Sequence, residues 1–175
     1  MSDRLGWSFR GAVGASIPFV CALIGVIVSN IPVSLFGTLV PPPMFGLMPI
    51  YFWCLVRPDL MPPFAVFIIG VLQDLLGGGA AGVWTLSFVA AYAIVDRERD
   101  SFAGLAGIGA ILGFGAAMLS AGAAAYFITA IYYWRMPPVA PIVVEIAVSV
   151  IFYIPVALML GVIHRRLVGP LRGDF

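Results

Sequence analysis

Two acidic residues within apolar segments are the positions of this sequence best suited to chemistry. Asp74 lies in the stretch Gly70–Gly77 (GVLQDLLG), and Glu145 follows Pro141 in another long apolar run. An ionisable side chain at membrane depth is costly, so it normally has a polar partner or a function. The sequence therefore indicates a structural role, a contact with another subunit, or proton transfer for each acid.

Asp74 is predicted near the C-terminal end of its helix, where the negative end of the helix dipole opposes a carboxylate. We therefore expect that helix capping does not explain this residue. The structural interpretation is that Asp74 accepts hydrogen bonds from backbone N–H groups of the glycine-rich turn that follows it, at Gly77–Gly79. The alternatives are a contact with another subunit and a titrating group.

Glu145 is predicted near the beginning of its helix, where the dipole favours an acid, and Arg135 is a candidate partner for it. Asp74 and Glu145 are expected at similar depth, which leaves a catalytic carboxylate pair as an alternative. The sequence contains no P-loop, GxSxG or HExxH motif to support an enzyme. We therefore predict no catalytic residue, no metal ligand and no cofactor.

Small residues recur at every fourth position of the fifth apolar segment, at Gly109, Gly113, Ala117, Ala121 and Ala125. At this spacing they form one stripe along a helix, where another backbone can approach closely. Internal packing between segments of this chain is one interpretation. A docking face for the transmembrane helix of a partner is the other.

The composition predicts an all-α integral membrane protein with one transmembrane domain, 1–175. Of the 175 residues, 62% are apolar and 10% are charged, against about 25% charged in an average soluble protein. The apolar runs approach the ~20 residues that a helix needs to cross a bilayer, and they lack the alternation of a membrane barrel. The net charge of +1 argues against a nucleic-acid partner.

Polar clusters divide the chain into six predicted spans, at about 11–28, 44–56, 62–76, 80–95, 102–133 and 139–163. The third and fourth are short, and they either cross as a tight hairpin or enter and return on one side. With both termini in the cytoplasm, eight of the nine arginines are cytoplasmic and only Arg135 is outside, as the positive-inside rule requires. Four tryptophans near span ends are predicted to be interfacial anchors: Trp7, Trp53, Trp84 and Trp134.

The central hairpin resembles the family of the rod shape-determining protein MreD. The family pattern is close to Arg-Pro-Asp/Glu, then G-x-x-x-D-L-L-x-G, then a further Gly; the matching residues are Arg57-Pro58-Asp59, Gly70–Gly77 with the adjacent Gly78, and Gly82. The resemblance covers residues 49–95 in detail and elsewhere rests on length and on the number and order of spans. It implies a fold similar to the S components of energy-coupling-factor transporters, with Gly70 and Asp74 as structural or partner-facing motif positions.

The same resemblance implies a non-enzymatic, multi-pass subunit of the bacterial cytoplasmic (inner) membrane. Such a subunit binds MreC directly and acts with MreB, RodA and penicillin-binding protein 2 to organise peptidoglycan synthesis and cell shape. One alternative is a vitamin-binding subunit of an energy-coupling-factor transporter, which needs a cavity with convergent polar groups. The residues that could contribute to such a cavity are Asn30, Gln73, Asp74, Trp84 and Glu145.

Overall fold

A computed structural model describes residues 3–31, 41–99 and 107–168, with the side chains of the first helix described from Gly14 onward. Within these ranges the chain is helical and contains no strand, so the predicted all-helical class is confirmed there. The α-helices are α1 Asp3–Ser29, α2 Leu47–Val56, α3 Pro63–Gly77, α4 Val83–Arg97, α5 Ile108–Tyr133 and α6 Val139–Ile163. A 3-10 turn at Pro58–Leu60 follows α2, and a π-helical segment at His164–Val168 follows α6.

Each predicted span corresponds to one helix, and the differences lie at the helix ends. The helix α1 begins eight residues before the predicted span, because its first turns are polar and carry no apolar signal. The helices α3 and α6 begin directly after Pro62 and Pro138, and α3 has a further proline at its first position, where no helical hydrogen bond is lost. Residues 102–106 of the predicted fifth span lie outside the described residues.

One end of the helix bundle, called the turn end below, contains residues 30–31, which follow α1, and the chain reversals at 78–82 and 134–138. Asn30 Nδ2 donates a 3.2 Å hydrogen bond to Gln73 Oε1, which places the end of α1 beside the end of α3. Ala125, in the C-terminal part of α5, packs with Val83 at the start of α4. The α5–α6 reversal therefore lies beside the α3–α4 turn.

The opposite end, called the arginine end, contains residues 57–61, 98–99 and 164–168. The ring of Trp53 in α2 lies 5.7 Å from the ring of His164, which directly follows α6. The arginines with described side chains at this end are Arg57, Arg97, Arg99, Arg165 and Arg166. Among the described side chains, Arg135 is the one arginine at the turn end, an asymmetry typical of membrane proteins with the arginine end in the cytoplasm.

The helix α5 and the continuous helical segment Val139–Val168 are long and apolar enough to cross a membrane. The α5 helix has 26 residues, or about 39 Å at 1.5 Å per residue, against a hydrocarbon core of about 30 Å. Only Ser149, Tyr153 and Leu160 of α6 are buried, so this apolar helix is not the hidden core helix of a soluble protein. The exposed apolar surface favours a membrane location.

The core is centred on three aromatic rings from α2, α5 and α6. The rings of Phe114 and Tyr153 are stacked with centroids 4.2 Å apart, and Tyr51 meets each of them edge-on at 5.5 Å. The Tyr51 hydroxyl donates a 3.0 Å hydrogen bond to the carbonyl oxygen of Ala110, so its polar tip is satisfied. The interfacial position predicted for Trp53 is wrong, because this side chain is fully buried in the same core.

The segment that precedes α2 is fastened by two buried serines. Ser149 Oγ, in α6, accepts a 2.9 Å hydrogen bond from the backbone N–H of Met44. Ser29 Oγ, at the end of α1, donates a 3.2 Å hydrogen bond to the carbonyl oxygen of Pro43. The entry into α2 is therefore held by the helices on either side of it.

We expect Ser149→Ala to lower the free energy of unfolding by about 1–3 kcal/mol, because the Met44 N–H then remains buried without an acceptor. Ser120→Ala is the matched control: the Ser120 hydroxyl donates to the carbonyl of Ala117 within its own helix, so its loss strands no buried N–H. Thermal unfolding in mild detergent, followed with a thiol-reactive dye at the buried Cys54, measures both. Equal effects of the two substitutions would contradict the assigned role of Ser149.

Candidate functional site

The carboxylate of Asp74 accepts four hydrogen bonds from the start of α4. Its Oδ2 accepts from the backbone N–H of Gly82 at 3.0 Å, and from the N–H and hydroxyl of Thr85 at 3.0 and 2.5 Å. Its Oδ1 accepts from the N–H of Trp84 at 2.8 Å. A carboxylate has about four lone-pair positions, and four donors of this chain reach it, three at Oδ2 and one at Oδ1. We call these four residues the Asp74 clamp.

The clamp satisfies N–H groups that have no acceptor inside α4. The first N–H groups of any helix lack such a partner, and the first bond of the α4 ladder runs from Leu86 N to the Gly82 carbonyl at 3.0 Å. Val83 N donates to the Ala80 carbonyl at 3.3 Å, and the clamp accepts the rest. All the N–H groups from residue 82 to residue 86 are therefore bonded, with a carboxylate at the positive end of the helix dipole.

The expectation that helix capping does not explain Asp74 is therefore wrong. The dipole of α3, to which Asp74 belongs, opposes its carboxylate, but the turn after α3 brings the start of α4 beside this residue. The donors are also further along the chain than the Gly77–Gly79 turn that the sequence suggested. Gly78 and Gly82, with φ of 64° and 94°, supply the left-handed conformations that this turn requires.

Gly70 lies one helical turn before Asp74 and allows the α3 and α4 backbones to touch. A Cβ atom at Gly70 would lie 2.6 Å from the Cα atom of Thr85 and 3.3 Å from its N and O atoms. Gly70 and Asp74 thus act on the same residue of α4, one by its lack of a side chain and the other by hydrogen bonding. The two motif positions build one helix–helix contact.

The small residues of α5 that were predicted as a stripe are mostly buried inside the chain: Gly113, Ala117, Ala121 and Ala125, with Gly109 half-buried. Ala125 packs with Val83, and α5 makes its most extensive helix contact with α4. On a neighbouring face of α5, a Cβ atom at Gly122 would lie 3.1 Å from Ile146 of α6. This arrangement agrees with the interpretation that the small residues of the stripe pack against other helices of the same chain.

A pocket of about 330 Å³ lies at the turn end, between the start of α4, the end of α5 and the start of α6. We call it the turn-end pocket. Its lining is mainly apolar, with polar groups from Thr129, Tyr133 and Glu145. Of the five residues suggested for a cavity, Trp84 and Glu145 line it, whereas Asn30 and Gln73 bond to each other and Asp74 bonds to α4.

Glu145 is half-buried in this pocket. Among the described residues it makes no hydrogen bond and no ion pair, so the anticipated pair with Arg135 does not form. Asp74 does not line the pocket, and its oxygens are occupied by α4. The two carboxylates that were considered as a catalytic pair therefore have different surroundings.

No match to this chain is found among protein-family models, curated proteins or solved structures. In the described ranges, no group of His, Cys, Asp and Glu side chains is arranged to hold a metal ion. Thr85, Thr129 and Tyr133 were not foreseen as site residues. The position of Thr85 in the first turn after Gly82 is the one sequence signal that could have found it.

The third part of the motif, Arg57-Pro58-Asp59, closes on itself at the arginine end. Arg57 Nε and Nη2 donate hydrogen bonds of 3.0 and 2.9 Å to the two carboxylate oxygens of Asp59. This side-chain hydrogen bonding holds the pKa of Asp59 below its usual range and raises that of Arg57. The pair stabilises the short 3-10 turn between α2 and α3.

We expect Asp59→Asn to lower stability near neutral pH and to have no effect in acid. A carboxylate whose pKa is lowered by folding contributes stability above its unfolded pKa, about 3.9, and loses that contribution as the pH falls through the folded pKa. The Asp59 side chain is 45% exposed, so the contribution is less than about 1 kcal/mol after screening by solvent. Thermal unfolding of both proteins across this pH range checks it. A stability difference of the same size in acid would contradict it.

Proposed function

We propose that this chain is a multi-pass protein of the bacterial cytoplasmic membrane, with six spans and both termini in the cytoplasm. The concentration of arginines at one end of the helix bundle and the exposed apolar surface of α5 and α6 support this orientation and location. The helices α2, α3 and α4 have 10, 15 and 15 residues, which is short for a bilayer. Hydrocarbon offers no acceptor for the N–H groups at the start of α4. The Asp74 clamp supplies these acceptors, so the short α3–α4 hairpin can lie within a bilayer.

Within that membrane, the proposed role is a non-enzymatic scaffold of the MreD type. It would bind MreC and, in a larger complex with MreB, RodA and penicillin-binding protein 2, help organise peptidoglycan synthesis and cell shape. The observation that carries this proposal is the Asp74 clamp. The motif positions Gly70 and Asp74 are used to join two helices, which is the property of a rigid subunit that holds other membrane proteins.

Because the small residues of α5 are buried, a partner would contact other surfaces. Large apolar side chains of α6 are exposed, among them Ile151, Leu158 and Met159. These side chains could pack against the transmembrane helix of a partner or against lipid. The partner surface is therefore expected on α6 rather than on the stripe of α5.

Purification of the tagged chain from its native membranes in mild detergent, followed by mass spectrometry, tests the scaffold. A stoichiometric MreC-like protein, with or without the wall synthases, is the expected result. The same purification with Leu158→Arg on the exposed face of α6 should lose the partner, whereas Glu98→Gln at the arginine end should retain it. Recovery of the wild-type chain without any MreC-like protein would overturn the proposal.

The turn-end pocket favours a second candidate function, the vitamin-binding subunit of an energy-coupling-factor transporter. Its volume is at the lower limit of pockets that bind small ligands. In this case the purified chain is expected with paired ATPases and a coupling subunit, or with a bound vitamin. The same mass-spectrometric experiment therefore separates the two functions.

A further inference from the structure

The carboxyl group of Glu145 lies in an apolar pocket, and among the described residues no cation lies beside it. The walls of the turn-end pocket include Ala80, Val83 and Ile142, and none of the described residues that line it is basic. A carboxylate at this depth is costly unless a cation approaches it. Glu145 has no ion pair among the described residues, so its charged form is balanced if a bound ligand supplies the cation.

The acceptors around Glu145 suit a primary ammonium group. Thr129 and Tyr133 are four residues apart on α5, so they share one face of that helix, and both line the pocket with Glu145. Each of the three side chains can accept a hydrogen bond, and a primary ammonium group has three N–H donors. A trimethylammonium group has none, so these hydroxyl groups would discriminate between the two.

The surroundings of the pocket indicate that the ligand is a lipid. Glu145 is six residues into α6, or about 9 Å from its start; with the start of α6 at the membrane surface, this position is close to the boundary between headgroups and acyl chains. Phe127, Ile131 and Val143 on the flanking helices are exposed and apolar. Arg135, in the reversal between α5 and α6, is exposed and makes no ion pair among the described residues.

We propose that the turn-end pocket binds a phospholipid whose headgroup carries a primary ammonium group. The ammonium group donates hydrogen bonds to Glu145, Thr129 and Tyr133, and the lipid phosphate pairs with Arg135. The acyl chains lie along the exposed apolar faces of α5 and α6. This site depends on the membrane location but not on the scaffold role, so failure of one leaves the other standing.

The test measures the affinity of the full-length, detergent-purified chain for three short-chain lipids: phosphatidylethanolamine, phosphatidylcholine and phosphatidylglycerol. The rise in melting temperature during titration reports binding. Phosphatidylethanolamine is expected to stabilise the wild-type chain most. Glu145→Gln should weaken its apparent affinity by about tenfold or more, as for loss of one member of a desolvated charge pair. Glu98→Gln, the same change at an exposed site, should leave it unchanged.

Equal stabilisation of the wild-type and Glu145→Gln proteins by phosphatidylethanolamine would overturn the site. So would equal stabilisation of the wild-type protein by all three lipids. If Glu145→Gln does not fold, the deciding measurement is native mass spectrometry of the delipidated wild-type chain in an equimolar mixture of the three lipids. Retention of phosphatidylethanolamine supports the proposal, and retention without preference contradicts it. Cross-linking of Glu145 to a basic residue of a protein, without lipid preference, would assign the pocket to a protein partner instead.

Discussion

Replacing Asp74 with alanine is expected to lower the free energy of unfolding by about 3–5 kcal/mol, because one buried and two partly buried N–H groups lose their acceptor at once. These N–H groups belong to Gly82, Trp84 and Thr85 in the first turn of α4. Asp74→Asn keeps one carbonyl oxygen and adds a donor that faces other donors. The stability of Asp74→Asn should therefore lie between that of the wild-type protein and that of Asp74→Ala.

Thermal unfolding in mild detergent, followed with a thiol-reactive dye at Cys54, measures the loss. A change of this size corresponds to a fall in the melting temperature of about 10 °C, at roughly 2–4 °C per kcal/mol for a chain of this length. Asp96→Ala is the matched control, because Asp96 is exposed and lies 3.9 Å from Arg99, a surface contact of less than about 1 kcal/mol. An Asp74→Ala protein as stable as this control would show that the clamp is unimportant.

Replacing Gly70 with alanine is expected to lower the free energy of unfolding by about 2–3 kcal/mol, the upper part of the range for overpacking. The added Cβ would lie 2.6 Å from the Cα atom of Thr85. A backbone atom cannot relieve this clash by a side-chain rotation. The helices α3 and α4 must therefore separate. That separation also lengthens the hydrogen bonds of Asp74.

Gly161→Ala is the control for Gly70→Ala, since Gly161 lies in α6 and a Cβ there meets nothing within 4 Å. Alanine is the better helix former, so this change is expected to be neutral or to stabilise by up to about 1 kcal/mol. Because Gly70 and Asp74 both act on Thr85, the double variant Gly70→Ala/Asp74→Ala should lose less stability than the sum of the single variants. Additive losses would contradict a shared contact, and equal stability of the two glycine variants would contradict the backbone contact.

The order and approximate position of the helices could be read from the sequence because local signals mark them. Prolines at 62 and 63 begin α3, and Gly78 ends it with a left-handed conformation. The first turns of α1 gave no apolar signal and were missed. The burial of Trp53 was also missed, because proximity to the end of a segment does not show which way a side chain faces.

Only part of the candidate site could be predicted from the sequence. Asp74 and Gly70 stood out by residue type, but their common partner Thr85 depends on how α4 packs against α3. The dipole of α3 opposes the carboxylate of Asp74, whereas the dipole of α4, which starts beside it, favours the carboxylate. Glu145 was identified as an acid at membrane depth, whereas its pocket is formed where three helices converge. No local sequence pattern indicates that these three helices meet there.

The hydrogen bond between Met44 and Ser149 links positions that are synthesised far apart in time. The N–H group at the entry to α2 emerges from the ribosome roughly a hundred residues before the serine that accepts it. The aromatic partners of Tyr51, on α5 and α6, are likewise made late. The contacts of Met44 and Tyr51 with α5 and α6 can therefore form only after the second half of the chain has been synthesised.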